Sequence, residues 1–244
     1  MKLKVASTFN EMMEGWRLVY KQYLKSALID ANPFSIFTYP EYIGRNSAVI
    51  LGKSGEHSVC SVSAVRDSKY GLPLDAYFHN ELNALRIQNK KLIEIGLLAN
   101  VSERAGPFYI IELLSSIARF GVYSNYHDYV IGVHPRRAAF YKNLFGLQQI
   151  GESRKYHQLH EAEVILLHAS GQDFEPLTLK ATKAIYFNET DLNFKNRFRF
   201  IRMASLKPFV LINQLFTILK KLWRQVFPAK IKSTPELTTL KQNN

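Results

Sequence analysis

Between Met12 and Tyr23 the apolar residues recur at helical spacing. Met12, Trp16, Val19, Tyr20 and Tyr23 fall along one face, which predicts a helix running to about Ala27. Thr8-Phe-Asn-Glu11 opens it with a capping-box pattern, in which the Thr8 hydroxyl accepts a backbone N–H while Glu11 reaches back. A short strand over Lys2–Ala6 precedes the helix. Asp30 to Gly44 has no period and carries Asn-Pro and Tyr-Pro breaks, so a long, partly ordered loop is expected there.

The period then shortens. Ser47–Gly52 and Ser58–Arg66 flank the turn Lys53-Ser-Gly-Glu56 and predict a hairpin. A Gly71-Leu-Pro-Leu-Asp75 turn leads into a helix around Ala76–Gln88, followed by a buried strand over Lys91–Ala99. Pro107 is placed to start a helix ending near Gly121. Tyr126–Val133 reads as a strand, Arg136–Phe145 as a helix closed by Gly146, and Gln148–Ser153 and Glu163–His168 as final strands. Strand pairs interleaved with helices predict an α+β fold with a mixed central sheet.

Charge divides the chain in two. Residues 1–176 carry 19 Lys+Arg against 17 Asp+Glu, whereas residues 177–244 carry 13 against 3. Of the net +12, +10 therefore sits in a C-terminal extension, which argues against nucleic-acid binding by the whole protein. Within 177–244, Phe209 to Phe227 has the pattern of an amphipathic helix with Lys220, Lys221 and Arg224 opposite its apolar face. Its uncharged run, Pro208 to Leu219, is twelve residues, short of the ~20 needed to span a bilayer. The basic and aromatic stretch 197–227 is open to three readings: peripheral contact with the inner face of a membrane, docking of an acidic carrier protein, or packing back on the domain. The last residues, Lys230 to Asn244, are polar and expected to be disordered. The absence of an apolar leader at the N-terminus leads us to expect a cytoplasmic protein. One cysteine, Cys60, in an apolar strand, excludes a disulfide framework and reads as a buried, inert thiol.

The candidate chemistry begins with Glu94, the one carboxylate in Leu92-Ile-Glu-Ile-Gly-Leu-Leu-Ala99. Strand alternation turns it away from Ile93 and Ile95. On a cleft-lining face, desolvation raises its pKa toward that of a useful base; at an exposed strand end it merely pairs with Lys90 or Lys91. Tyr141, in Ala138-Ala-Phe-Tyr-Lys-Asn-Leu-Phe-Gly146, is either a proton donor or core packing. His134, with His157 and His160, shows no metal-ligand spacing, so no metal is expected.

Two blocks carry a family resemblance. One is Gly71-Leu-Pro-Leu-Asp75 with Glu81-Leu82, Leu85-Arg86 and Glu94-Ile-Gly-Leu-Leu-Ala99. The other is Val133-His-Pro-Arg-Arg-Ala-Ala-Phe-Tyr141 with Phe145-Gly146, Ile150-Gly-Glu-Ser-Arg154 and Tyr156. In this order and spacing they resemble the long-chain N-acyl amino acid synthases of the FeeM type. Those enzymes are similar both to GNAT acetyltransferases and to acyl-homoserine-lactone synthases. The resemblance covers roughly Lys2 to His168. It implies a GNAT-like N-acyltransferase domain over 1–176, with 177–244 as a basic helical extension. The implied donor is an acyl carrier protein bearing its acyl group as a phosphopantetheine thioester, the implied acceptor an amino acid, and no tightly bound cofactor is expected. The competing reading is a non-catalytic binder of acyl ligands on the same fold.

By the same resemblance Glu94 takes the base position and Tyr141 that of the residue protonating the departing thiolate. Leu97, Leu98 and Ala99 would be substrate-binding. Arg17, Asp75, Glu81 and Arg86 would organise the acceptor side, with Arg86 either clamping the acceptor carboxylate or forming a structural pair with Glu81 or Asp75. His134 and Arg136 follow a strand end, where a structural His at a Pro turn is the default and a proton carrier the alternative. Coenzyme A-using GNATs follow the catalytic strand with a glycine-rich loop. Here Asn100-Val-Ser-Glu-Arg-Ala-Gly-Pro107 has one glycine and an acid. That departure favours a carrier-borne phosphopantetheine, with Arg104 available to its single phosphate.

Overall fold

Thr8 caps the first helix as its sequence requires: its hydroxyl accepts from the Glu11 N–H at 3.2 Å, and the Glu11 carboxylate receives the N–H groups of Ser7 and Thr8. The computed structural model describes residues 1–43, 46–101 and 106–170. The expected extension 177–244, its helix over 209–227 and Arg104 lie outside the described residues. Strand β1 (Lys2–Val5) and helix α1 (Phe9–Lys25) lead to the hairpin β2 (Ser47–Ser54) and β3 (His57–Arg66). Helix α2 (Asp75–Ile87), strand β4 (Leu92–Asn100) and helix α3 (Gly106–Ser124) follow. Strand β5 (Asp128–Val133), helix α4 (Pro135–Phe145), and strands β6 (Gln148–Gln149), β7 (Arg154–Tyr156) and β8 (Ala162–Ser170) complete the domain.

The strands form one sheet in the order β1-β2-β3-β4-β5-β8-β6, with β7 pairing β8 off that path. All neighbouring pairs are antiparallel except β4 and β5. Helices α1 and α2 bury Met12, Trp16, Val19, Phe78 and Leu82 on one face. Helices α3 and α4 bury Leu113, Ile117, Tyr141 and Phe145 on the other. The result is an α/sheet/α arrangement with a core on each side, the mixed sheet that the element order predicted.

Two features of β4 position the site. The parallel ladder joins Leu92–Ile95 to Asp128–Ile131 and goes no further, although β4 continues to Asn100 and β5 to Val133. Against β3 the register slips, with Ser63 opposite Gly96 but Ser61 opposite Ala99. At this bulge Leu97 takes φ +50, outside the strand region. The extra residue reverses the alternation: Leu97 and Ala99 join the α1/α2 core, while Leu98 packs against the α3/α4 core. The two central strands therefore separate beside the bulge.

One expected strand is corrected. Gln148–Ser153 is not continuous: pairing stops at Gln149, and a separate strand starts at Arg154 against the far end of β8. Gly151, at φ +143, breaks the run, and a Cβ there would sit 3.0 Å from the Glu81 carboxylate. Cys60 is buried, and burial pushes its thiol up to about 12, an inert state.

Candidate active site

Glu94 lies on β4 just before the point where that strand leaves β5. Its register neighbours are Val65 on β3 and Val130 on β5. It is 4% exposed, and Lys90 pairs with Asp128 instead, which removes the exposed-strand-end alternative. Each carboxylate oxygen has one donor: the Tyr42 hydroxyl donates to Oε1 at 3.0 Å and the Leu74 backbone N–H to Oε2 at 2.9 Å. Burial pushes the Glu94 carboxyl up to about 8. The two hydrogen bonds, which favour the charged form, pull the other way, and the carboxylates of Glu41 and Asp75 add to the rise.

The loop that brings Tyr42 to this position is ordered from Asn32 onward. The Asn32 side chain donates to the Ile36 carbonyl at 2.9 Å and accepts from the Phe34 N–H at 3.1 Å. The Phe37 N–H donates to the Trp16 carbonyl of α1 at 3.3 Å. Ring contacts then run Tyr23 to Phe37 (5.2 Å), Phe37 to Tyr39 (5.3 Å) and Tyr39 to Tyr42 (6.2 Å). A 3-10 turn over Pro40–Ile43 ends the loop, and the Ser47 hydroxyl holds the Tyr42 carbonyl at 2.8 Å. From β7, Tyr156 stacks on Tyr77 with centroids 3.9 Å apart. Burial raises the phenols of Tyr39, Tyr42 and Tyr156, and the Glu94 charge raises each further. The wall around the carboxylate thus presents neutral hydroxyls.

Tyr141 lies on α4 in the opposite core, together with Ile95 and Ile131. Burial raises its phenol and keeps it protonated. Burial also raises the Tyr23 phenol, and Tyr141 adds to the rise. The candidate base, bonded to Tyr42 and Leu74 of the α1/α2 core, and the candidate acid thus belong to opposite faces of the sheet. A thiol of pKa ~8.5 leaves without needing full protonation. Replacing Tyr141 by Phe is accordingly expected to lower turnover well under the ~100-fold of an essential general acid, measured by steady-state kinetics. A larger loss would make Tyr141 that acid.

The acceptor-side group divides in two. The five N–H bonds of Arg86 are all engaged. Its Nε donates to Asp67 at 2.6 Å, one terminal nitrogen to Asp75 (2.7 Å) and Asn83 (2.9 Å), and the other to Asp75 (2.7 Å) and Asp67 (3.1 Å). No donor is left for a substrate carboxylate, so the geometry matches the structural-pair alternative, with Asp67 as a partner the sequence reading omitted. Glu81 pairs with Arg154, whose guanidinium also donates to the Tyr77 carbonyl and lies over the Phe78 ring. That carbonyl precedes the non-helical Phe78 inside α2. Arg17 is exposed on α1 and makes none of these contacts. His134 caps α4, its Nδ1 accepting from the Arg136 N–H at 3.2 Å, and the Arg136 side chain is exposed. Sequence reasoning missed Tyr42, Tyr39, Glu41 and the Leu74 amide; Tyr156 stood in a quoted motif without a role.

A mixed sheet flanked by helices is the fold this chain shares with the GNAT-like acyltransferases. Within that class the chain belongs to the N-acyl amino acid synthase FeeM family, whose model matches residues 14–170, and it is an N-acyltransferase. The solved structure of FeeM, an N-acyl amino acid synthase from uncultured soil microbes, is similar at a TM-score of 0.64 and 23% identity, covering 75% of this chain and 97% of that one. TofI, solved in a ternary complex with an inhibitor and MTA, is similar at a TM-score of 0.58 and 7% identity, covering 73% and 96%. BjaI, a CoA-dependent acyl-homoserine lactone synthase solved with SAM and isopentyl-CoA, is similar at 0.52 and 12%, covering 71% and 83%. No curated protein matches the chain significantly.

Proposed function

We propose that this protein transfers a long-chain fatty acyl group from the phosphopantetheine thioester of an acyl carrier protein to the amine of an amino acid. The observation that carries the reading is the Glu94 carboxyl, buried at the strand opening and held near pKa 8. A carboxyl held there is a far stronger base than an ordinary carboxylate and lies closer to the range in which an ammonium group gives up its proton, the condition for an effective general base. The ammonium first loses a proton to solvent; the amine lone pair then attacks the thioester carbonyl carbon, and the nitrogen's second proton passes to Glu94 as the amide forms. The tetrahedral oxyanion collapses, the C–S bond breaks, the thiolate departs with the electron pair, and an amide remains.

The family supplies the acceptor class, since its members are described as N-acyl amino acid synthases. The donor rests on a different argument. BjaI shows that the fold also serves coenzyme A, so the fold leaves the donor open. Asn100–Pro107 favours a carrier protein: its single glycine, its acid and its proline suit a pyrophosphate poorly, and phosphopantetheine has none.

Mass spectrometry of lipids from a bacterial host expressing the protein tests the reaction, and the purified protein offered matched acyl-carrier and acyl-CoA donors tests the source. New N-acyl amino acids with long chains, and faster turnover of the carrier-bound donor, are expected. Equal or faster use of acyl-CoA would overturn the donor assignment.

A further inference from the structure

Gly96 stands two residues after Glu94, on the stretch of β4 that faces Tyr42. A Cβ built on Gly96 would lie 2.1 Å from the Tyr42 hydroxyl oxygen and 3.1 Å from the ring carbon that bears it. Any side chain at this position would therefore displace the group that donates to Glu94 Oε1 at 3.0 Å. Gly96 is not in the left-handed region, so the backbone alone gives no reason for glycine here. The missing side chain and the tyrosine fit each other.

We propose that Tyr42 is a positioning residue for the base: admitted by Gly96, its hydroxyl orients Glu94, stabilises its charged form, and directs the abstracted proton to Oε1. This rests on the reading of Glu94 as the base. The two donors to Glu94 differ in kind. The Leu74 N–H is a backbone group that only donates, so it keeps Oε2 an acceptor whatever the protonation state. A phenol hydroxyl both donates and accepts. It donates to Oε1 while Glu94 is ionised. Once Oε1 has taken the amine proton, the hydroxyl turns and accepts from it. Tyr42 thus keeps a hydrogen bond in both halves of the proton cycle, and the proton count is unchanged when Glu94 releases its proton to solvent.

The ionisable groups facing Glu94 come from three elements. The loop supplies Glu41 and Tyr39 beside Tyr42, the start of α2 supplies Asp75, and β7 supplies Tyr156. The flanking strands contribute Val65 and Val130. The carboxylates oppose ionisation of Glu94, and the phenols stay neutral, so loss of the Tyr42 hydrogen bond has a definite sign.

Tyr42→Phe keeps the ring and removes the donor. In protein carrying carbon-13 glutamate side chains, with the Glu94 signal identified by its loss in Glu94→Gln, the Glu94 midpoint is expected to rise by about one pH unit. The acid limb of the kcat/KM profile should move up with it. A role in packing alone would lower activity evenly at all pH values. Gly96→Ala should raise the midpoint in the same direction, and should do so much less when Tyr42 is already Phe. An unmoved Glu94 midpoint in folded Tyr42→Phe protein overturns the proposal. A midpoint that moves while the rate profile stays in place instead overturns Glu94 as the base, and leaves the Tyr42 contact standing.

Discussion

Glu94→Gln is expected to cost 10²–10⁴ in turnover while making the folded protein more resistant to heat at neutral and alkaline pH. Both effects follow from the same burial. In the wild type the carboxyl is held near pKa 8 in the folded state against 4.5 for its unperturbed form. Between these values the folded state holds a proton that the unfolded state has lost. Stability is therefore full below about pH 4.5 and falls as pH rises toward 8, by about 3 kcal/mol at pH 7. Glutamine cannot ionise and escapes that loss. It also fits the two donors: its oxygen accepts from the Leu74 amide and its NH2 donates to the Tyr42 hydroxyl, which turns to accept. Thermal melts from pH 5 to 8 should show the wild type losing stability and the variant holding level, with a gap of roughly 5–10 °C near pH 7–8. Steady-state kinetics on the same samples measure the loss of turnover. Near-normal turnover in a folded Gln variant would remove Glu94 from the reaction.

The sequence exposed Glu94 because strand alternation acts on a single charged residue in an apolar run, and the period of two assigns it a face without any tertiary information. It exposed the capping box and the closing Gly146 for a similar reason, since both are local chemistry; Gly146 takes φ +68 and its N–H reaches the Lys142 carbonyl. What surrounds Glu94 was hidden. Tyr42 sits in a loop ordered by the Asn32 side chain, by the Phe37 N–H bond to α1 and by the ring contact of Phe37 with Tyr39, and such contacts leave no period. The Leu74 donor is a backbone amide, which every residue but proline has. The bulge at Leu97 is carried by a leucine at positive φ, a residue no turn rule would flag. The fate of Arg86 was undecidable from spacing, because Asp67, Asp75 and Glu81 are all within reach along the chain and only the fold selects two of them.

That selection gives the second large expectation: Arg86→Ala should destabilise the domain by about 2–3 kcal/mol and lower its melting temperature by roughly 5–10 °C. The Arg86 side chain is 25% exposed and those of Asp67 and Asp75 are 14% and 18%, so the pairs lie between the surface case, worth under ~1 kcal/mol, and the buried case of ~3–5. Removing the cation leaves two half-buried carboxylates facing each other. Burial alone would raise Asp75, but the Arg86 hydrogen bond and the Leu72 N–H at 2.6 Å hold it below its ordinary value of 3.8. Its contribution is present above that value and is lost as pH falls through the depressed folded pKa. The wild type's advantage over the variant should therefore shrink in acid, whereas at Glu94 it is the variant that holds the advantage at neutral pH. Activity should fall as well, because Asp75 anchors Leu72 and Leu74 of the same turn donates to Glu94. Arg86→Lys should rescue little, since one ammonium cannot bridge two carboxylates as a guanidinium does. A clamp for the acceptor carboxylate would behave differently. Its loss would raise KM for the amino acid alone, and melts of the variant would overlay those of the wild type. That pattern would reassign Arg86 to substrate binding.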